Sequence, residues 1–599
     1  MRHFLSSLLV LMALPLAAQS SPAPENVYDF TFDVRIPMRD GVRLHASLYT
    51  PHGLSGPAPV VFNMTPYTSD GFHGEAVYFA RRGYVFAAVD VRGRGTSEGE
   101  FEPWRNDGRD GHDVAEWLAK QPFSNGKIGM MGHSYGGRAV WSTIKERPPH
   151  LAAAAPISAS YPMYGWHNIL TPDLLQWFLL TAGATSNTQI LGDADFWVAK
   201  LRELYLSNRP LRDFDRIVGS PTPLFQRFLD HPTLDAFWTD PTPTPADFAR
   251  IDLPILTVTA QYESNNVGPL WYYREHEKFA SPAAFAKHRV LIGPWDHHGA
   301  RRPVRNAGGI EFGPAAEVDM KKLLADWFDY SMGGGSLPAL LADPVRYYTI
   351  GAEAWRGASK LEPLTPVRSA ETPGAKVLPA AARTFYLDSN SDKPSEGAGS
   401  LSRPGRLAET PPVGGTADRW TYDPHDLRPG LAETQETVEW AKGIAGPDDL
   451  WGSGLAYATA PFAQPFEIAG FPRITAWIAL DVPDADLSVR LELIGPDGSA
   501  VLLGEEWARA RYRTSLEKER PVPSGVPLDY AFELPFVARV LPAGSRLRLI
   551  FRSPNSIFLE RNWNGGGVVA EESGQDARTA HVTLLHDREH PSRLEMPAF

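Results

Sequence analysis

The chain has 599 residues, too many for one hydrophobic core, so roughly two to four domains are expected. A net charge of −12, with no basic tract longer than "ARRPVR" (300–305), argues against a nucleic-acid binder. There is no cysteine, which excludes a thiol nucleophile, thiolate metal sites and disulfides.

The N-terminus reads as a secretory signal peptide over residues 1–18. Arg2 and His3 supply a basic start, Phe4 to Leu16 an apolar run, and Ala17-Ala18-Gln19 the small residues of a cleavage site. The run is too short to span a bilayer, and no later segment is long and apolar enough to do so. The expected mature protein is exported, periplasmic or secreted, and free of the membrane after cleavage near Ala18.

From residue 27 onward, apolar strand-like runs alternate with helix-like ones. Strands are expected at Pro59 to Met64, Val85 to Asp90, Lys127 to Met131, Leu151 to Ile157, Ile255 to Ala260 and Arg289 to Pro294. Helices are expected at Glu75 to Arg82, Gly111 to Lys120 and Tyr135 to Lys145. Such alternation predicts a mostly parallel, doubly wound sheet, divided into 27–160 and 251–360. The interval 161–250 breaks the rhythm: it is rich in Trp, Leu, Phe and Pro with helical periodicity, and reads as an inserted cap. "LEPLTPVRSAETPGAKVLPAA" (361–381) reads as a Pro-rich linker. Beyond it, "RITAWIAL" (473–480), "LSVRLELI" (487–494) and "SRLRLIFR" (545–552) alternate between turns, predicting an antiparallel sandwich of jelly-roll type over 361–599.

One junction carries chemistry. "GKIGMMGHSYGGRAVW" (126–141) holds Gly132-His133-Ser134-Tyr135-Gly136 between a short apolar run and an amphipathic one. In a G-x-S-x-G elbow the serine sits on a strained strand-to-helix turn, and the glycines remove side chains that would clash there. An N-capping serine in a Gly-rich turn is the plainer alternative. The later chain distinguishes the two, because α/β-hydrolases place an acid and then a histidine after subsequent strands. "LPILTVTAQYESNN" (253–266) ends on Glu263, and "RVLIGPWDHHGARR" (289–302) carries His297 and His298 just past its strand. A serine hydroxyl becomes nucleophilic only when an imidazole takes its proton, and a carboxylate fixes that imidazole's tautomer. The order Ser134, Glu263, then His297 or His298 meets that need.

Several segments resemble the family of X-Pro dipeptidyl-peptidases, cocaine esterases and α-amino-acid ester hydrolases. They are "NMTPYTSDGF" (63–72), "GYVFAAVDVRGRGTSEGEF" (83–101), "GKIGMMGHSYGG" (126–137), "LIGPWDHHG" (291–299), "DLWGSGLAYATAPFAQPFEIAG" (449–470) and "LIGPDGSAVLLGEEWARARYR" (493–513). The resemblance implies an α/β-hydrolase domain with an inserted helical cap and a C-terminal jelly roll. It implies Ser134 as nucleophile and favours His297 over His298 as base, from the G-P-W-x-H pattern. Glu263 stands where the family usually has Asp, a departure that asks a longer side chain to reach the histidine. Asp296 adjoins the base but is badly placed to orient it. The resemblance also implies an oxyanion hole made of the Tyr135 N–H and the Tyr67 hydroxyl.

Other segments carry less. "GRGTSEG" (93–99) lacks the spacing of a dinucleotide loop, and Asp90 and Arg92 beside it read as structural ion-pair partners. "REHEKF" (274–279) has no third metal ligand at suitable spacing and reads as a solvated helix face. "NWNGGG" (562–567) reads as a loop of the sandwich. Tyr161, Tyr164, Trp166, Trp177 and Phe178 suit an acyl pocket and a cap core alike. No cofactor or metal is expected.

The implied function is an exported serine hydrolase of esterase or acylase type, cleaving ester or amide bonds of a small molecule or short peptide. The residues after Glu263 (Ser264, Asn265 and Asn266) are uncharged. A substrate ammonium there would go unpaired, which argues against α-amino ester specificity. Two alternatives stand: an X-Pro dipeptidyl-peptidase, with Asp173 of the cap able to grip a free N-terminus, and a catalytically weak carbohydrate-binding protein. No nucleic-acid or membrane partner is expected, and a homo-oligomer stays open.

Overall fold

Eight strands of the N-terminal half form one side of a large mixed sheet. They are β1 (Tyr28–Pro37), β2 (Arg43–Pro51), β3 (Ala58–Thr65), β4 (Val85–Asp90), β5 (Ser124–His133), β6 (Leu151–Ile157), β7 (Ile255–Tyr262) and β8 (His288–Asp296). Their spatial order is β1-β2-β4-β3-β5-β6-β7-β8, continued by Val345–Thr349, Ala354–Lys360 and Thr365–Val367. The computed structural model describes residues 26–163, 169–263, 267–362, 365–367, 382–389, 401, 403–412, 417–433, 450 and 452–597. Residues 1–18, read as a signal peptide, and most of the expected linker 361–381 lie outside the described residues.

From β4 to β8 every neighbouring pair is parallel. These strands are covered on both faces, which is why they read as unbroken apolar runs. Alternation along β3 sends Val60, Phe62 and Met64 to one helix layer and Val61 to the other. The first layer holds α2 (Asp107–Ala119) and α3 (Tyr135–Glu146) through Val114, Leu118, Val140 and Ile144; the second holds α1 (His73–Arg81) through Ala76 and Phe79. The antiparallel pair β1–β2 was not expected. Most of β1 is exposed, so it lacks the apolar signal of a central strand.

Between β6 and β7 the described chain forms helices, including α4 (Asp173–Leu180), Ala194–Ser207 and Pro223–Leu229. Leu174, Phe178, Trp197, Phe225 and Trp238 join the same core as α3, so the insertion packs onto that helix layer. The C-terminal third is all-β. Its main sheet runs through Arg473–Leu480, Asp486–Ile494, Ala500–Arg509 and Arg546–Arg552 among others, over a separate core that includes Ile478, Leu491 and Leu549.

This all-β domain is bonded to both other parts. Ile350 exchanges backbone hydrogen bonds with Ala538 and Val540, and Glu560 donates its N–H to Leu170 of the cap at 2.9 Å. Gln261, two residues before Glu263, accepts from the Ala538 N–H at 2.8 Å, and Arg539 donates to the Tyr262 hydroxyl at 2.9 Å.

Two expectations need correction. "REHEKF" lies on the helix Val267–Phe279, but it is not simply a solvated face: His276 is fully buried. Its Nδ1 lies 2.9 Å from Nδ1 of buried His288, and its Nε2 faces the Ile251 carbonyl at 3.3 Å. Helical periodicity turns one position of a polar stretch toward the sheet. Arg92 does form ion pairs, but with Asp110 and Asp40. Asp90 faces His45 Nε2 at 3.9 Å and accepts from the Ser69 N–H at 2.6 Å.

Candidate active site

The turn from β5 into α3 is crowded. A Cβ on Gly132 would lie 2.3 Å from the Gly136 carbonyl, and one on Gly137 would lie 2.5 Å from the Ile157 carbonyl. Only glycine lets the strand end and the helix start approach this closely. Ser134 itself adopts φ 60°, ψ −118°, a left-handed-side conformation that a non-glycine residue holds only under constraint. Its N–H is tied to the Ile157 carbonyl at 2.9 Å. Tyr135 is the first residue of α3, where backbone N–H groups have no partner within the helix.

Parallel pairing brings the other chain ends to the same sheet edge. Tyr262 pairs with Asp296, so the next residues, Glu263 and His297, emerge side by side. Glu263 is 4% exposed, and its Oε1 lies 3.2 Å from His297 Nδ1. Its Oε2 accepts from the Ser158 hydroxyl at 2.8 Å and the Thr259 hydroxyl at 3.2 Å. A carboxylate buried this deeply needs such donors, and they leave one oxygen for the imidazole. The longer side chain therefore reaches. His297 is half-buried. Asp296 accepts from the Gly299 N–H at 2.6 Å and caps the turn. His298 is exposed on that turn, and desolvation, then the neighbouring His297, pull its pKa down. His133 donates from Nε2 to the His297 carbonyl at 2.8 Å, and burial holds it neutral.

Tyr67 follows β3 at the same edge. Its hydroxyl accepts from the Trp177 indole N–H of α4 at 3.0 Å. Burial pushes the phenol's pKa up; Trp177, Ser134 and the charge of Arg94 pull it back. Trp177 also stacks on Trp104, with ring centroids 5.7 Å apart and planes 2° apart, and Trp104 stacks on Tyr135 at 5.0 Å. Trp177 thus serves cap packing and site at once. Phe178 is cap core, and Tyr164, Trp166 and Ser264 to Asn266 lie outside the described residues.

Residues 40–299 match the X-Pro dipeptidyl-peptidase (S15 family) model, and residues 343–595 match that of the X-Pro dipeptidyl-peptidase C-terminal non-catalytic domain. The cocaine esterase of Rhodococcus sp. (strain MB1 Bresler) is 29% identical over 610 residues, covering 95% of this chain and 98% of its own.

The chain belongs to this X-Pro dipeptidyl-peptidase and cocaine esterase family.

It is a serine hydrolase. Solved structures share its fold. An α-amino acid ester hydrolase superposes with TM-score 0.77 at 22% identity, covering 98% of this chain and 100% of that one. An aminopeptidase from a Thaumarchaeota archaeon gives TM-score 0.77 at 20% identity, covering 97% and 98%. The expected α/β-hydrolase domain with a C-terminal all-β domain is therefore the architecture observed.

Sequence reasoning on this hydrolase missed three residues at the site. Ser158 supports Glu263, and its small size after a strand, in "ISAS", was the one available signal. Trp104 stacks beside Tyr135 from a loop without periodicity. Arg94 lies in "GRGTSEG", fully buried, with Nε donating to the Pro66 carbonyl at 2.7 Å.

Proposed function

We propose that this serine hydrolase is exported and cleaves ester or amide bonds through an acyl-enzyme on Ser134. His297 is the base, Glu263 the orienting acid, and the Tyr67 hydroxyl with the Tyr135 N–H the oxyanion hole. The observation that carries this reading is the Glu263–His297 hydrogen bond, at the sheet edge that also bears the strained Ser134.

In the first half-reaction the Ser134 hydroxyl attacks the substrate carbonyl and His297 Nε2 takes its proton. The carbonyl oxygen becomes an oxyanion, stabilised by the Tyr67 O–H and the Tyr135 N–H. Glu263 keeps the Nδ1 proton in place and stabilises the imidazolium without itself being protonated. His297 then gives the proton to the leaving alcohol or amine, and the ester to Ser134 remains. Water, deprotonated by His297, attacks that ester and frees the acid and the serine.

The esterase or acylase reading draws on the cocaine esterase relative, matched over nearly its whole length. A dipeptidyl-peptidase reading draws on the family models and on Asp173. This carboxylate lies four residues before Trp177, on the same helix face. It is exposed to solvent, and desolvation raises its pKa. Export draws on the basic, apolar and small-residue order of residues 1–18.

The test compares mature enzyme with Ser134→Ala on p-nitrophenyl acetate and butyrate and on Gly-Pro and glutaryl p-nitroanilides. Ester turnover without Gly-Pro turnover, abolished in Ser134→Ala, is the expected result. Efficient Gly-Pro turnover would reverse the substrate ranking. Turnover that survives Ser134→Ala would overturn the assignment.

A further inference from the structure

We propose that Trp177 is a positioning residue for the oxyanion hole: cap helix α4 uses its indole N–H to hold the Tyr67 phenol with its single proton free for the oxyanion. This rests on the reading of Tyr67 as an oxyanion donor. A phenol has one proton and two acceptor positions. With the Trp177 N–H donating to the oxygen at 3.0 Å, one acceptor position is filled and rotation of the hydroxyl is restricted. A hydroxyl that accepts a hydrogen bond is also a stronger donor, so the bond helps where negative charge develops.

The loop that carries Tyr67 is tied down on both sides of it. Before it, the Pro66 carbonyl accepts from Arg94 Nε at 2.7 Å. After it, the Ser69 N–H donates to Asp90 at 2.6 Å, past Thr68 at φ 72°. The same Arg94 donates from Nη1 to the Thr181 and Gly183 carbonyls, just beyond the C-terminus of α4. One buried guanidinium therefore bolts the loop to the very helix that bears Trp177. The Trp177 ring is in turn fixed by parallel stacking on Trp104. A donor fixed by its own packing can hold the phenol to the tolerance that catalysis needs. Trp177 and Tyr67 are 110 positions apart, so the cap and the catalytic domain meet at the reacting atoms.

The test is a double-mutant cycle on p-nitrophenyl butyrate with Trp177→Phe, Tyr67→Phe and the pair. Trp177→Phe removes the donor and keeps an aromatic ring, smaller than the indole, against Trp104. Its kcat should fall about tenfold with KM within about twofold, the size expected for one lost supporting hydrogen bond. Tyr67→Phe should lose about 10²-fold, and the pair should be no slower than Tyr67→Phe alone by more than about twofold. Trp177→His, which keeps a ring N–H, should recover part of the loss. It also serves as the second variant should Trp177→Phe fold poorly, with kcat read at 15 °C, well below each melting temperature.

A wild-type kcat in Trp177→Phe, a change in KM alone, or a loss that multiplies with that of Tyr67→Phe would overturn the inference. Slow Tyr67→Phe with multiplying losses would remove this inference alone. Full activity in Tyr67→Phe would remove the oxyanion assignment with it.

Discussion

Glu263 meets His297 through Oε1, 3.2 Å from Nδ1, and gives Oε2 to the hydroxyls of Ser158 and Thr259. The carboxylate is divided between holding the imidazole and being held. Glu263→Gln keeps the shape but presents an amide in place of the carboxylate, so the imidazole loses both its tautomer lock and the charge that stabilises its protonated form. The expected loss in kcat is about 10³- to 10⁴-fold on a p-nitrophenyl ester. Glu263→Asp retracts the carboxylate by about one bond length, roughly 1.5 Å, and should cost about tenfold or more. Near wild-type kcat in Glu263→Gln would remove Glu263 from the triad.

The elbow glycines should be intolerant of any side chain. Gly132→Ala places a methyl 2.3 Å from the Gly136 carbonyl, so the turn must move. The expected destabilisation is roughly 1–3 kcal/mol. Gly74, exposed on α1 with nothing within 4 Å of its Cβ position, is the contrast. Gly74→Ala should stabilise by about 0.5–1 kcal/mol. Thermal melts of the two variants should shift in opposite directions, and equal shifts would refute the packing argument.

Buried histidines should make the protein acid-sensitive. Desolvation, then the neighbouring His276, holds His288 neutral, and desolvation lowers His276. The unfolded chain takes up these protons as pH falls through about 6.5 while the folded one does not. Stability is therefore complete above that pH and is lost below it. The measurement is urea unfolding between pH 7.5 and 5.5. In His288→Gln the loss between pH 6.5 and 5.5 should be shallower, by up to about 1.4 kcal/mol per pH unit. An unchanged slope would clear His288 of the effect.

Asp107 should act in the opposite direction. Burial pushes its carboxyl up to about 7, against a hydrogen bond with the Tyr135 hydroxyl that pulls it down. The unfolded chain ionises this group near pH 4, so its contribution falls as pH rises from about 4 to 7 and stays low above. Asp107→Asn removes that ionisation and keeps an acceptor for Tyr135. Its melting temperature relative to wild type should therefore rise between pH 5 and pH 8. A gap that does not change with pH would show that Asp107 does not titrate in this range.

Much of the fold was legible because its signals are local. The runs Val85–Asp90 and Leu151–Ile157 coincide with observed strands, since strands covered on both faces are apolar throughout. Exposed β1 carried no such signal. The buried His276 was hidden inside a charged stretch, because the face a helix turns inward depends on what it packs against.

By itself, the sequence determined a strand, a glycine-flanked serine and a helix, followed in order by an acid and a histidine at later strand ends. Glycine spacing and hydrophobic period act over a few residues, so they are written where they act. Only the tertiary structure decided that Glu263 reaches His297, that Ser158 supports it and that the Trp177 indole rests on Tyr67. Those contacts join residues 34, 105 and 110 positions apart. Strand register and the seating of the cap bring them together, and neither leaves a periodic trace in the chain.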